Sequence, residues 1–245
     1  MSRRQLRLLA LAALCYTLAE ASIPSYMKVC GRRNPKLNEC VKDSVLQLKP
    51  KLQSGIPELD VPSLEPLYFD EVILATLPDF TAVAKNLTLN GLSNFEIRHL
   101  NIDLEKNRID LELLLAKVLM KSDYNVKARI IVPINEKGPI DLTSENVIAK
   151  VVLKFKKVER RGRTLIYFPT MSCKLLIEDY TANFRSGASE STISQAINEI
   201  LVTNRKEIID SMTPNLEKAV SSKVIDVANR VCKHFTFDDL LPDRL

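Results

Sequence analysis

The spacing of apolar residues changes period twice along the chain. Leu37, Val41, Val45, Leu48 and Leu52 recur at steps of three and four, which predicts an amphipathic helix of about four turns. Asn34-Pro35 reads as its start, an asparagine cap followed by proline at the first helical position, and Pro50 is expected to bend or end it. Next, Pro57, Pro62 and Pro66 separate Ile56, Leu59, Val61, Leu64 and Leu67. Prolines at this density exclude both helix and central strand, so this segment should run extended over a surface with its apolar residues turned inward.

From about Phe80 to Ile177 the period is two. Phe95 and Ile97, then Leu100, Ile102 and Leu104, alternate with one slip, which predicts a bulge. Ile109, Leu111, Leu113 and Leu115 alternate with Asp110 and Glu112, and Tyr124, Val126, Ala128, Ile130, Val132 and Ile134 keep the rhythm. Val147, Ala149, Val151, Leu153 and Phe155 oppose Lys150, Lys154 and Lys156. Short polar links at 105–107, 135–138 and 159–163 read as turns, so the strands should form an antiparallel meander.

Beyond Asp179 the helical period returns. Ile193, Ile197, Ile200, Leu201, Ile208, Met212, Leu216, Val220, Val224, Val227 and Val231 predict a helix of roughly 55 Å, kinked or broken at Pro214. A stripe that long needs an equally long partner, and the sheet is the candidate in this chain. Long meander strands twist and coil. The expected fold is therefore α+β, a strongly curved antiparallel β-sheet wrapped around a long C-terminal helix.

The N-terminus carries Arg3, Arg4 and Arg7, an apolar run from Leu8 to Ala19, and Ala19-Glu20-Ala21 before Ser22. This is the pattern of a secretory signal peptide over residues 1–21, leaving one domain over 22–245. No later segment is long and uncharged enough to span a bilayer. The formal charge of +5 is mild, which argues against a nucleic-acid partner. Cys30, Cys40, Cys173 and Cys232 remain after cleavage, an even number for an oxidising compartment. A bridge between Cys30 and Cys40 would tie the new N-terminus to the first turn of the first helix.

The sequence carries no catalytic, metal or cofactor signature. There is no G-x-S-x-G, H-E-x-x-H, Walker loop, glycine fingerprint or C-x-x-C. The two histidines, His99 at the strand slip and His234 at a helix end, read as structural, so no enzyme activity and no cofactor is expected. The one basic cluster, Lys154, Lys156, Lys157, Arg160, Arg161 and Arg163, reads first as a solvated hairpin and second as a patch for anionic headgroups. Asn86-Leu87-Thr88 is an N-glycosylation sequon that requires Asn86 on the outer face.

The N-terminal cysteine pair ahead of a helix, then "GIPELDVPSLEPL", "NLTLNGLSNFEI" leading into "DLEKNRIDLELLL", "NFRSG" and a long helix ending in "FTFDDLLP" resemble the Takeout and juvenile-hormone-binding family of secreted insect proteins. The resemblance runs in order over essentially the whole of 22–245. It implies a curved sheet around the long helix, as in the wider tubular lipid-binding proteins, enclosing an elongated apolar tunnel. It also implies a carrier of a small hydrophobic ligand, such as juvenile hormone, another terpenoid or a fatty-acid-like lipid, in haemolymph or another extracellular fluid. A protein partner, either a receptor or another extracellular protein, is the alternative. Juvenile-hormone binders proper have a second disulfide, whereas many Takeout-like members keep only the N-terminal one. Cys173 and Cys232 are thus a second pair or two buried thiols, with the compartment tipping the reading to a pair. Alternation selects Leu113, Leu115, Ile130, Val132, Ile134, Leu153, Phe155, Phe168, Ile197, Leu201 and Ile208 as the tunnel lining. Tyr124 or Tyr167 is selected as the hydroxyl for a polar ligand end.

Overall fold

The computed structural model describes residues 23–129, 133–184, 199 and 202–245. Helix α1 (Leu37–Ser54) is followed by seven strands: β1 (Leu67–Leu77), β2 (Phe80–Asn90), β3 (Glu96–Asp103), β4 (Arg108–Arg129), β5 (Pro133–Arg160), β6 (Arg163–Leu176) and β7 (Thr181–Phe184). The chain closes with α2 (Arg205–Cys232) and α3 (Phe237–Leu240). All described pairings are antiparallel. The sheet runs β1-β2-β4-β5-β6, with β3 lying beside the first half of β4 and β7 beside the first part of β5.

The pattern predicted several of these boundaries and missed others. Helix α1 starts at Leu37, and the Asn34 carboxamide oxygen accepts from the Lys36 amide at 2.9 Å, so Asn34 closes the preceding turn rather than capping the helix. Pro50 lies inside the helix, which continues to Ser54. It stops at Gly55, whose φ of 87° no Cβ would tolerate cheaply, since one would sit 2.9 Å from Ser63 N and Val61 O. The proline-rich segment holds one short 3₁₀ turn (Pro57–Leu59) and buries Ile56 and Leu59 as expected. Strand β1 follows directly, ahead of Phe80, where the sequence pattern places the first strand.

The bulge predicted near His99 is present, as a register shift between Ile97 and His99. The turns at 105–107 and 159–163 also lie where expected, the second with Arg161 and Gly162 both at positive φ. The turn expected at 135–138 does not exist. Those residues lie inside β5, paired with 124–127. Gly138 is there for a different reason: the Tyr124 ring lies across it, 3.2 Å from where a Cβ would stand.

Most of α2 runs through the region predicted as the long helix, with Pro214 inside it, and its 28 residues span about 42 Å. The part proposed for 193–201 falls almost wholly outside the described residues. At one end of the molecule Phe235, Ile56 and Leu59 form a closed cluster with Tyr26, Met27, Leu52 and Val231. Cys30 and Cys40 are bridged there, and the N-terminal loop pairs with the C-terminal tail through Arg32 N to Pro242 O (3.0 Å) and Arg33 N to Arg244 O (3.1 Å).

Candidate functional site: a trough between sheet and helix

The concave face of the sheet can be read from register. Leu111, Leu113 and Leu115 on β4 stand opposite Val151, Ala149 and Val147 on β5, and Val151 and Ala149 stand opposite Cys173 and Leu175 on β6. This face meets α2, because Ile109 and Leu153 pack with Ala228 and Cys232. Farther along, both long strands reverse their pleat at the same place. Ala116-Lys117 and Glu145-Asn146 are consecutive exposed pairs opposite one another, and Asn146 takes a φ of 55°. Before this point the odd-numbered residues face inward. After it the even-numbered ones do: Val118, Met120, Ser122 and Tyr124, opposite Ser144, Leu142, Ile140 and Gly138. Without the reversal Lys117 would point into the trough. With it, one apolar surface continues from Ile109 to Val126.

Helix α2 closes this surface by binding both free edges of the sheet. Asn215 donates from Nδ2 to the carbonyl of Leu74 (2.9 Å), the bulged residue of edge strand β1. Glu217 accepts the Leu175 amide of the opposite edge, β6, at 3.0 Å, and also the Lys174 ammonium at 3.0 Å. Residues two apart on a helix point about 200° away from each other, so one turn of α2 reaches both edges at once. Asn229 repeats the device, accepting from Phe168 N (2.8 Å) and donating to Phe168 O (3.0 Å). An open strand edge leaves unpaired backbone groups, and here three polar side chains of one helix satisfy them. Apolar contacts accompany each stitch, with Leu216 and Ala219 against Val72, Ala84 and Leu87 on one side, and Ala228 and Cys232 against Phe155 and Phe168 on the other.

Several of the residues expected to line a cavity are brought together. Leu113, Leu115, Leu153, Phe155 and Phe168 share the concave face, and Ile208 is half-buried on α2. Phe155 and Phe168 form an edge-to-face pair at 6.2 Å and belong to the packed end of the trough rather than its open part. Ile130, Val132, Ile197 and Leu201 lie outside the described residues, as does the side chain of Ile134. Tyr167 is a correction. It pairs with Lys156 on the convex side and is 49% exposed, because the bulge between Lys154 and Lys156 shifts β6 so that Phe168, not Tyr167, turns inward. Val224, placed in the apolar stripe of the helix, also faces solvent.

Cys173 and Cys232 do not pair. Cys232 is packed against Phe155 and Phe168, while Cys173 sits five residues farther along β6, near Glu217. Burial pushes both thiols up to about 11, with the Glu217 carboxylate adding to the effect at Cys173. Two thiols this reluctant to ionise are inert packing groups.

The polar features of the trough are few. Tyr124 is half-buried on its wall, and its hydroxyl is raised above the usual tyrosine range by burial and then by the Glu136 carboxylate. Ser122, two residues before it, was missed by pattern reading, since a serine in a strand carries no signal. It is 4% exposed and stands opposite Ile140, and its hydroxyl has no partner in the protein. Asn86, the sequon residue, is exposed on the convex side at a bulge of β2, where it donates to Asp123 at 3.0 Å and accepts from the Tyr68 hydroxyl at 3.2 Å. Two open clefts at the disulfide end, of about 500 and 400 Å³, are lined by charged residues such as Arg32, Asp103, Lys157 and Asp238, with Leu104 and Phe237 adding apolar surface in the smaller one. Among the described residues no cluster of metal-ligating side chains occurs.

Comparison with known proteins agrees with this architecture. The crystal structure of Takeout 1 from Epiphyas postvittana superposes with a TM-score of 0.73 at 18% identity, covering 88% of this chain and 99% of that one, which establishes the shared fold. A Schistocerca gregaria protein named "Putative beta-carotene-binding protein" is 22% identical over 218 residues, 86% of each chain. The family profile described as haemolymph juvenile hormone binding protein matches residues 8–242, nearly the whole length, and the chain belongs to that family.

Proposed function

We propose that this protein is a secreted carrier that holds one small, elongated hydrophobic molecule in the trough between the sheet and α2. The observation that carries the reading is the state of the apolar rows. Leu111, Leu113, Leu115, Leu153 and Leu175 face the helix, yet none of them is fully buried. Protein interiors are close-packed, so a facing row of leucines left partly exposed is surface that a ligand can cover. Each 100 Å² of it so covered is worth about 2.5 kcal/mol. Affinity then follows length and girth, and the Tyr124 hydroxyl on the trough wall is the polar contact that sets orientation.

The names of the relatives fit this chemistry, since juvenile hormone and beta-carotene are both extended isoprenoids. A terpenoid or fatty-acyl ligand is therefore the class we infer, carried in extracellular fluid after removal of residues 1–21. Asn86, exposed and convex, is the inferred glycan acceptor. A mass decrease on endoglycosidase treatment, abolished by Asn86→Gln, checks that point.

The test of the carrier reading is native mass spectrometry of the secreted protein, followed by solvent extraction and identification of what is released. A stoichiometric apolar molecule is the expected result, and Tyr124→Phe should then weaken ligands with a polar end while leaving pure hydrocarbons unaffected. A protein that emerges empty and takes up none of a panel of terpenoids and fatty acids would shift the function to a protein partner. Turnover of a hormone ester in the same assay would instead make it a hydrolase.

A further inference from the structure

The hairpin of β5 and β6 extends past the rest of the sheet, and its two faces differ. On the concave side Lys157, Glu159, Thr164 and Ile166 turn toward the body of the protein, with the Lys157 ammonium 4.1 Å from the centre of the Phe237 ring and Ile166 against Phe155 and Phe168. On the convex side the register places Lys156 opposite Tyr167, Val158 opposite Leu165, and Arg160 opposite Arg163, with Lys154 behind them and Arg161 at the tip. Tyr167 is 49% exposed and Val158 41% exposed.

Among the described residues, none of Lys154, Lys156, Arg160, Arg161 and Arg163 forms an ion pair, whereas Arg108, Lys150 and Lys174 nearby each find a carboxylate. Glu159, the acid of this stretch, faces the other side and binds the Thr164 hydroxyl. The convex face is thus a strip of three apolar side chains framed by five unneutralised cations.

We propose that this face docks the protein reversibly on anionic phospholipid surfaces. Cations alone would suit any polyanion. Tyr167, Val158 and Leu165 decide between sources, because a sulfated polysaccharide offers no apolar layer to receive them, whereas a lipid interface does. A tyrosine with its ring in the acyl boundary and its hydroxyl among headgroups is the ordinary residue of such an interface. The attachment is peripheral, since no helix among the described residues is long and apolar enough to cross a membrane. The proposal is independent of what the trough carries.

The experiment uses the full secreted protein and two kinds of vesicle, phosphatidylcholine alone and phosphatidylcholine mixed with phosphatidylserine. Binding is expected to the mixed vesicles, to fall as salt rises, and to be absent on phosphatidylcholine alone. Each cation near an anionic surface contributes about fivefold in affinity, so Lys156→Gln, Arg160→Gln and Arg163→Gln together should weaken it on the order of a hundredfold. The chain has no tryptophan, so Tyr167→Trp installs a single reporter whose emission should shift to the blue on the mixed vesicles. All these side chains are exposed, so the unfolding midpoint should be unchanged in every variant, which separates loss of docking from loss of fold. Failure to bind the mixed vesicles overturns the proposal. So does undiminished binding by Val158→Ser with Tyr167→Ser, which would identify the face as a site for a soluble polyanion.

Discussion

The disulfide end and the trough are built from the same kinds of residue and finish in different states. At the disulfide end Phe235 is 1% exposed, with Ile56 and Leu59 also buried, under a lid tied by Cys30–Cys40 and by the pairing of the two chain termini. In the trough, leucines from three neighbouring strands face a long helix and stay partly exposed. The difference lies in what spans the gap. The disulfide end is filled by aromatic side chains from a short tail, whereas α2 is held at its distance by polar stitches to the sheet edges. Core and the proposed binding trough should therefore be separable by mutation, since changes in the first should lose stability and changes in the second should lose ligand.

The largest effect is expected at Phe235. Phe235→Ala removes a fully buried ring and should lower unfolding free energy by about 3–5 kcal/mol, measured by chemical denaturation. Leu113→Ala in the trough should cost less, on the order of 1–2 kcal/mol, because part of its side chain is already uncovered. Equal losses at the two positions would mean that the trough is ordinary core. Next is Cys30→Ser with Cys40→Ser, which should cost up to about 3 kcal/mol by freeing the unfolded chain. The loop it closes also carries Arg32, bound to Asp238 at 2.6 Å, and Arg33, bound to Asp243, so proteolysis should reach the C-terminal tail sooner in this variant.

Alkaline pH should loosen the trough wall more than the disulfide end lid. Both free thiols have folded-state values raised from 9.0 to about 11. A raised value means that the folded state holds the proton more tightly. Its contribution, on the order of 2 kcal/mol per thiol, is complete below pH 9 and lost as pH rises through 11. Tyr26 at the disulfide end, raised from 10.0 to about 12 by burial and by Glu58, adds a further loss that begins near pH 10 and is complete above 12. Replacing both cysteines by alanine should flatten the fall of stability between pH 9 and 10, reduce it up to pH 11, and leave the Tyr26 loss in place. An unchanged slope would show that the thiols are not where the structure puts them.

How much of this was legible in the sequence follows from what each feature depends on. Local periodicity gave the helices, an antiparallel sheet and the slip at His99, because each rests on neighbours within a turn or a strand, whereas the pairing of β2 with β4 and of β7 with β5 departs from a simple meander. Features set by cross-strand partners were not legible. Gly138 looked like a turn because nothing in the sequence announces that the Tyr124 ring lies over it. Tyr167 looked inward because the bulge opposite Phe155 is a property of pairing, not of either strand alone. Ser122 and the edge-binding Asn215, Glu217 and Asn229 are polar residues in apolar company, and pattern reading discards those as surface. Part of the expected lining, around 130–132 and 185–201, falls where the structure describes little.

The stitches offer a finer way to separate the two regions. Glu217→Leu leaves the Leu175 amide without an acceptor, and Asn229→Leu strands both backbone groups of Phe168. Each should cost about 1–3 kcal/mol, with amide exchange quickening along β6 while the amides around Ile56 and Leu59 remain protected. Uniform acceleration across both regions would mean that the molecule opens as a single unit.

The smallest expected change in stability carries the most information about function. Leu113→Trp adds bulk at the middle of the half-covered row, opposite Ala149, the small partner in that register. In a filled core such an enlargement costs about 1–3 kcal/mol through forced rotamers. In a trough with room for a ligand it should cost well under 1 kcal/mol, because the indole occupies space that the chain itself leaves open. The same substitution should abolish or shorten the set of ligands bound, removing the longest first, since it divides the trough rather than narrowing its mouth. Measured together, an unchanged midpoint and a lost long-chain ligand would establish that the row is held open for cargo. A large destabilisation with ligand uptake intact would move the binding site elsewhere and return Leu113 to the core.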